Sequence, residues 1–341
     1  MKHYLCLFLF ISLMNFSFSQ IKNIQFTEYE YFNSNCNGYK YNTGTFFYVP
    51  ENAFCFDDGT SCKEKITIKY REFHTQVDML VAGINMIAKL NGKDAILESV
   101  GMFEIKAECK GKPVNLCNGK SIQVRMKCNR NLPNIAAYKY DEKLNWWNYN
   151  GQVYDFSFDN KKPYEEPNRW GNGPINGIDS VDAIRVDSMG NEVMVRSIAS
   201  GYINNPITEG IFKAMNVQSM GIYNYDCVIN DKDAVPMIPE FVLNNGEPVV
   251  EQIYVAYESR NTLVNYYKDD LSERFVLLNI KGIKIFTILN DGSYAVLKPG
   301  SLDNLNLLAM KGTKQKFILE KKPKLPKTKE DVSKLAGISN R

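Results

Sequence analysis

Histidine is almost absent from this chain: of 341 residues only His3 and His74 carry an imidazole. A site built from several histidines is therefore excluded. No C-x-x-C pair occurs, and the spacings 55/62 and 109/117 are not those of a zinc finger, so a structural zinc site has no basis in the text. The G-x-S-x-G elbow is missing as well, which leaves His74, with Asp78 nearby, no serine nucleophile of that kind to serve. Beyond residue 19 no apolar run approaches the ~20 residues a membrane-crossing helix requires. The body also lacks excess positive charge. The whole chain carries +3, but residues 311–341 hold ten basic and three acidic side chains, leaving 30 basic against 35 acidic over residues 20–310. Such a body offers no basic surface for a phosphate backbone, and nucleic acid is not an expected partner.

What is present begins with a leader. MKHYLCLFLFISLMNFSFSQ has a basic start, an apolar stretch from Tyr4 to Met14, and small residues at Ser17 and Ser19, the pattern of a secretory signal peptide cut after Ser19. The expected location is the periplasm, the outer membrane or the cell surface. The remaining length suits two domains of ordinary size, and 44% hydrophobic with 23% charged residues is the composition of a folded protein.

Seven cysteines follow the leader, which an oxidising compartment would turn into as many as three disulfides. The candidates are Cys36, Cys55, Cys62, Cys109, Cys117 and Cys128. Cys55 and Cys62 flank the turn FDDGTS and are read as a local staple. Cys109 is matched with Cys117 or Cys128, and Cys36 with whichever remains. Cys227 stands alone in the second half and is the expected unpaired, buried thiol.

Strand periodicity dominates residues 41–128. In KITIKYREF, GMFEIKAEC and SIQVRMKC apolar and polar side chains alternate, and the breaks carry turn chemistry at Asp58-Gly59, Asn91-Gly92, Gly111-Lys112-Pro113 and Asn118-Gly119. A sheet with one polar and one apolar face needs a second layer, which makes a β-sandwich the economical expectation. Residues 132–170 turn aromatic, then rich in Pro and Gly, and read as an irregular connection. Strands resume at 193–198, 239–243, 252–258, 261–267, 274–280 and 283–289. Asn290-Asp291-Gly292 makes a hairpin, a short helix is predicted at 303–310, and a last strand at 314–320. The lysine- and proline-rich end reads as an exposed tail.

The stretch TGTFFYVPENAF (43–54), running through a turn into KITIKYREF, resembles the opening of ZU5-like β-sandwich domains. There, a glycine-led strand meets a V/I-P-x-x-A-[FI] corner. LESVGMFEIKAECKGKPVNL, SMGIYNYDCVIN and IYVAYESRNTLVNYY are similar to exported proteins of the Bacteroidota that carry this domain. The resemblance spans about two thirds of the mature chain and implies a β-sandwich of the interaction and scaffold kind, with no known catalytic set. Some relatives self-cleave at His-Phe-Ser. That tripeptide is missing here, where His74 is followed by Thr75-Gln76, so autoproteolysis is not implied.

Other candidates weigh less than their plainer alternatives. Glu165 or Glu166 beside Trp170, with Trp146 and Trp147 as stacking platforms, would suit a sugar site, yet adjacent acids between prolines are more simply a solvated loop. Asp57-Asp58-Gly59 and Asp231/Asp233 fall short of a full calcium loop and are turn residues first. Asp-Ser-apolar triplets make Ser180 and Ser188 O-glycosylation candidates. Lys321, Lys322, Lys324, Lys327 and Lys329 form a basic run able to meet an acidic partner or anionic lipid.

The expectation is an all-β protein: signal peptide 1–19, ZU5-like β-sandwich 20–135, connection 136–178, a second sandwich-like domain 179–320 and a flexible basic tail 321–341. Its expected role is a non-catalytic structural or protein-interaction component of the cell envelope, such as an accessory subunit of an outer-membrane or secretion assembly, without cofactor or metal. The alternative is a carbohydrate-binding or carbohydrate-active protein using Trp146, Trp147 and Trp170.

Overall fold

A computed structural model describes residues 24–128, 130, 132–156, 178–186, 192–200, 211–229, 234–323 and 325–340, with backbone alone for the strands lying within 154–211. The leader, Glu165, Glu166, Trp170, Ser188, Asp231, Asp233 and Lys324 lie outside the described residues. Strands make up most of the regular structure, as the alternation requires.

The chain forms two compact units that interleave in sequence. One comprises residues 25–73 and 99–227 and is called the sandwich unit below. The other, the six-stranded unit, is built around residues 74–98 and 228–340. This differs from the linear order expected from the sequence. Period-two patterning reports which face of a strand is buried but not which strand lies beside it, so residues 74–98 gave no sign that they fold with the C-terminal third.

In the sandwich unit one sheet runs Thr27–Tyr31, Ile66–Phe73, Lys93–Cys109, Gly221–Val228, Ala136–Asp141, Trp146–Gln152, and the other runs Tyr154–Phe156, Ile211–Val217, Ile122–Cys128, Phe46–Val49, Asn37–Lys40. Residues 136–156, expected within an irregular connection, are thus three strands. Their Tyr and Trp residues are the side chains favoured on a pleated, half-buried surface. The inward sets Ile66, Ile68, Tyr70 and Phe103, Ile105, Ala107 meet Phe47, Val49, Ile122, Val124 and Met126 from the facing sheet. Between the layers the rings stack: Phe47 on Tyr70 at 5.0 Å, Tyr70 on Phe103 at 5.5 Å, Phe103 on Tyr223 at 5.6 Å. A Cβ at Gly101 would stand 2.8 Å from Met126 Sδ, so a side chain there would require Met126 to shift.

The Pro50 corner is a sharp one. Phe46–Val49 ends there, Asn52 takes φ 53°, and Ala53 and Phe54 turn fully into the core.

The six-stranded unit orders its strands Ile238–Leu243, Lys314–Lys321, Tyr294–Leu297, Ile283–Ile288, Ile253–Tyr257, Leu263–Tyr266, with the first pair parallel and the others antiparallel. Phe241, Phe317, Val255 and Ile285 share one apolar core with Val235 and Leu277 of a small two-stranded sheet. Tyr254, Phe286 and Tyr294 are also buried and stack at 5.1 and 6.0 Å. Helix α1, Gln76–Ala82, packs on the Leu263–Tyr266 edge.

The C-terminal segment corrects the expectation of a flexible tail. Helix α2 spans Lys268–Glu273, and α3 spans Lys329–Ala336. Thr328 and Asp331 cap the start of α3 reciprocally, Gly337 ends it at φ 69°, and the helix lies over Ile283–Ile288 and Tyr294–Leu297. Val332, Ala336 and Ile338 are buried. Low apolar content concealed an amphipathic helix whose few apolar groups share one side. The helix predicted at 303–310 shrinks to a 3-10 turn, Leu307–Met310, and the strand expected at 274–280 shrinks to Val276–Leu278.

Candidate functional sites

Two disulfides occur among the described residues, Cys55–Cys117 and Cys62–Cys109, both in the sandwich unit. The local pairing Cys55–Cys62 is therefore corrected, and so is Cys109 with Cys117 or Cys128. The FDDGTS turn closes by itself: Phe56 N donates to Thr60 O at 2.9 Å, and Asp58 Oδ1 accepts from Thr60 N at 2.9 Å. Needing no staple, its cysteines reach outward to partners that strand pairing brings near. Phe54–Cys55 pairs with Asn115–Leu116, beside Cys117, and Ile66 pairs with Cys109 itself. Asp58 does ordinary turn work here, while Asp57 Oδ1 reaches across to accept from Asn115 Nδ2 at 2.8 Å. Cys36, Cys128 and Cys227 lie outside both bridges, and Cys227 is half-buried rather than buried.

Asn33 organises this rim, and sequence reasoning passed it over. Its Nδ2 lies 2.8 Å from Phe54 O, 2.9 Å from Ser61 Oγ and 3.0 Å from Cys62 O, while Oδ1 accepts from Phe54 N at 3.1 Å. Nothing in an isolated Asn signals such a position. Nearby, the Tyr31 hydroxyl donates to Pro50 O at 2.6 Å, and burial pushes its pKa up to about 12.

His74 precedes α1. Its backbone N donates to Asp78 Oδ2 at 3.0 Å and its carbonyl accepts from Asn261 Nδ2 at 3.1 Å. Asp78 is the capping partner of Thr75 and takes Lys329 Nζ on Oδ1 at 2.6 Å. The acid nearest to His74 in sequence is thus committed to a helix start and an ion pair. Gln76 is equally engaged: its Nε2 faces the carbonyls of Tyr257, Arg260 and Thr262 at 2.9–3.1 Å, and Oε1 accepts from Ser339 N at 2.9 Å.

Trp146 and Trp147 are adjacent on one strand and so point to opposite faces. Trp147 is fully buried, 4.8 Å from the ring of Tyr140. They form no shared platform for a sugar. Ser180 lies on Ile178–Val186, paired with Glu192–Ser200.

The basic run is largely matched. Lys321 meets Asp291 at 2.6 Å, Lys322 meets Glu320 at 3.3 Å, and Lys329 meets Asp78. Pro326 is buried and Lys327 contributes its backbone N to Asp331.

Buried carboxylates escaped the sequence reading, among them Glu72, Glu98 and Glu104. Glu72 accepts from Tyr70 OH at 3.0 Å and Thr43 Oγ1 at 2.7 Å, and burial together with this carboxylate holds the Tyr70 hydroxyl well above its ordinary pKa. Glu98 pairs with Arg260 Nη1 at 2.7 Å, and Glu104 with Arg71 Nε at 2.6 Å and with Lys106. Burial pushes the Arg125 guanidinium, whose Nε donates to Gln123 Oε1 at 2.9 Å, down to about 10. Among the described residues no group of His, Cys, Asp and Glu is arranged to hold a metal ion, and no helix is long and apolar enough to cross a membrane.

No family model, no curated protein and no solved structure matches this chain.

Proposed function

We propose that this protein is an exported, non-catalytic structural or protein-interaction component of a cell envelope, with a ZU5-like sandwich unit and a role as an accessory subunit of an outer-membrane or secretion assembly. The observation that carries the reading is the pair of disulfides, Cys55–Cys117 and Cys62–Cys109. Such bridges persist in oxidising compartments, and the leader MKHYLCLFLFISLMNFSFSQ supplies the route there. The engagement of His74, Asp78 and the buried glutamates in caps and ion pairs supports a structural use of the polar groups.

In-cell crosslinking followed by pull-down from envelope extracts tests it, using the full chain because α3 is part of the fold. A fixed set of envelope proteins co-purifying with the processed chain is the expected result. Recovery of a free monomer alone, or of unprocessed chain in the cytoplasm, overturns the reading.

A further inference from the structure

Residues 298–314, KPGSLDNLNLLAMKGTK, connect two neighbouring strands of the six-stranded unit through a succession of tight turns. Ser301 N donates to Lys298 O at 3.2 Å, Leu305 N to Leu302 O at 3.1 Å, Ala309 N to Asn306 O at 3.1 Å and Lys311 N to Leu308 O at 3.3 Å. The loop divides its leucines by face. Leu302 and Leu307 enter the core at 6% and 2% exposure, whereas Leu305 and Leu308 stand out at 45% and 48%. Its charges divide as well. The one acid, Asp303, is drawn inward, Oδ1 accepting from Gly282 N at 2.9 Å. Lys298, Lys311 and Lys314 are exposed, and among the described residues none has a carboxylate partner, unlike Lys316 with Glu240 and Lys321 with Asp291.

We propose that this loop is a membrane-surface contact: Leu305 and Leu308 enter the headgroup boundary of an anionic lipid layer while Lys298, Lys311 and Lys314 lie against its phosphates. Exposed apolar side chains and unpaired lysines within one short segment, with its single acid turned inward, are the composition by which surface segments enter a headgroup layer. Lysine stems add apolar length while the ammonium groups remain among the headgroups. An acidic protein would match the charge equally well, but two leucines in a short loop give it little apolar surface for a stable complex. A lipid layer demands no area of that size and no fixed register. The buried leucines and Asp303 hold the loop in shape beforehand, so little ordering opposes binding. The inference rests on the envelope role above and gives it a physical contact.

Flotation of the full processed chain with vesicles tests the assignment, comparing phosphatidylcholine alone with phosphatidylcholine mixed with phosphatidylglycerol. Association is expected with the anionic vesicles only, weakening as salt rises. At about fivefold per lysine near an anionic surface, Lys298→Gln/Lys311→Gln/Lys314→Gln lowers binding about 100-fold. Leu305→Ser/Leu308→Ser lowers it about tenfold, from lost apolar burial. Lys321→Gln/Lys322→Gln leaves it unchanged. Thermal melts confirm that each variant is folded, as these side chains are exposed. Failure of the unaltered chain to float with anionic vesicles overturns the proposal, as does undiminished binding by either loop variant. If vesicles fail while envelope proteins are still captured, only the lipid contact falls. If capture fails too, both readings fall.

Discussion

The sandwich unit carries two covalent bridges at its rim, Cys55–Cys117 and Cys62–Cys109, whereas residues 74–98 and 228–340 of the six-stranded unit contain no cysteine at all. What the second unit has instead is helix α3. Helix α3 lies on strands carrying Phe286 and Tyr294, and Ser339 and Lys329 are tied to Gln76 and Asp78 of α1. A sheet with buried side chains on both faces needs cover on both. One unit obtains it from a facing sheet and carries two disulfides in the segments beside its first sheet, the other partly from a helix fixed by hydrogen bonds and one ion pair. The two should therefore respond differently to the same chemistry.

Reduction separates them most sharply. The bridges close loops of 62 and 47 residues, each corresponding to about 4 kcal/mol of chain entropy removed from the unfolded state, though the loops overlap and the two values do not add. Reducing both, or making Cys55→Ser/Cys62→Ser/Cys109→Ser/Cys117→Ser, is expected to collapse amide hydrogen-exchange protection at Ile68, Phe103 and Val124 while protection at Val255 and Ile285 persists. Equal loss in both sets would break the contrast.

The converse experiment targets α3. Val332 is fully buried, and Val332→Asp places a carboxylate there without a partner, at a cost of about 3 kcal/mol or more. Protection is then expected to fall at Phe286 and Tyr294 and to remain at Tyr70 and Phe103. Protection retained at Phe286 and Tyr294 would show that α3 is not a necessary cover.

Asp78→Ala probes the tie between the helices at smaller scale. The substitution removes the reciprocal cap on Thr75 and His74 and the ion pair with Lys329, whose side chains are mostly buried. A loss of about 1–2 kcal/mol follows, chiefly from the cap. Lys329→Met should lose less, because the cap survives. Equal losses would place the energy in the ion pair instead.

Why α3 stayed hidden while the sandwich did not is a matter of what each pattern encodes. KITIKYREF and GMFEIKAEC announce their buried faces by strict alternation, and both are strands with those faces inward. TKEDVSKLAG contains a capping box and a terminal glycine, which are legible signals, but Pro323, Pro326 and the lysines outweighed them. Strand identity survives such reading because it is local. The interleaving of the units, the nested disulfides and the place of Asn33 depend on which distant segment lies adjacent, and composition holds no record of that. The exposed pair Leu305 and Leu308 was equally obscure, since composition does not say which leucines of the 302–308 stretch turn outward.

The smallest effect concerns Lys321, at the start of the lysine- and proline-rich end. Asp291 accepts from Ser293 N at 2.9 Å and from the Ser293 hydroxyl, and lies 2.6 Å from Lys321 Nζ, which together lower its pKa to about 2. Because the folded value lies below the ordinary 3.8, the contribution is fully present above that ordinary value and disappears as pH falls from about 4 through 2. The pair is largely exposed, so solvent screening reduces its worth to about 0.5 kcal/mol. Asp291→Asn should lower the stability of the six-stranded unit by that amount at neutral pH and match the unaltered chain at pH 2. A carboxyl NMR titration midpoint near 3.8 for Asp291 would mean that Lys321 is loose after all. Strand Lys314–Lys321 would then lack the ion pair that ties its end to the Asn290-Asp291-Gly292 hairpin, and the contrast between a disulfide-bearing and a helix-covered unit would rest on α3 alone.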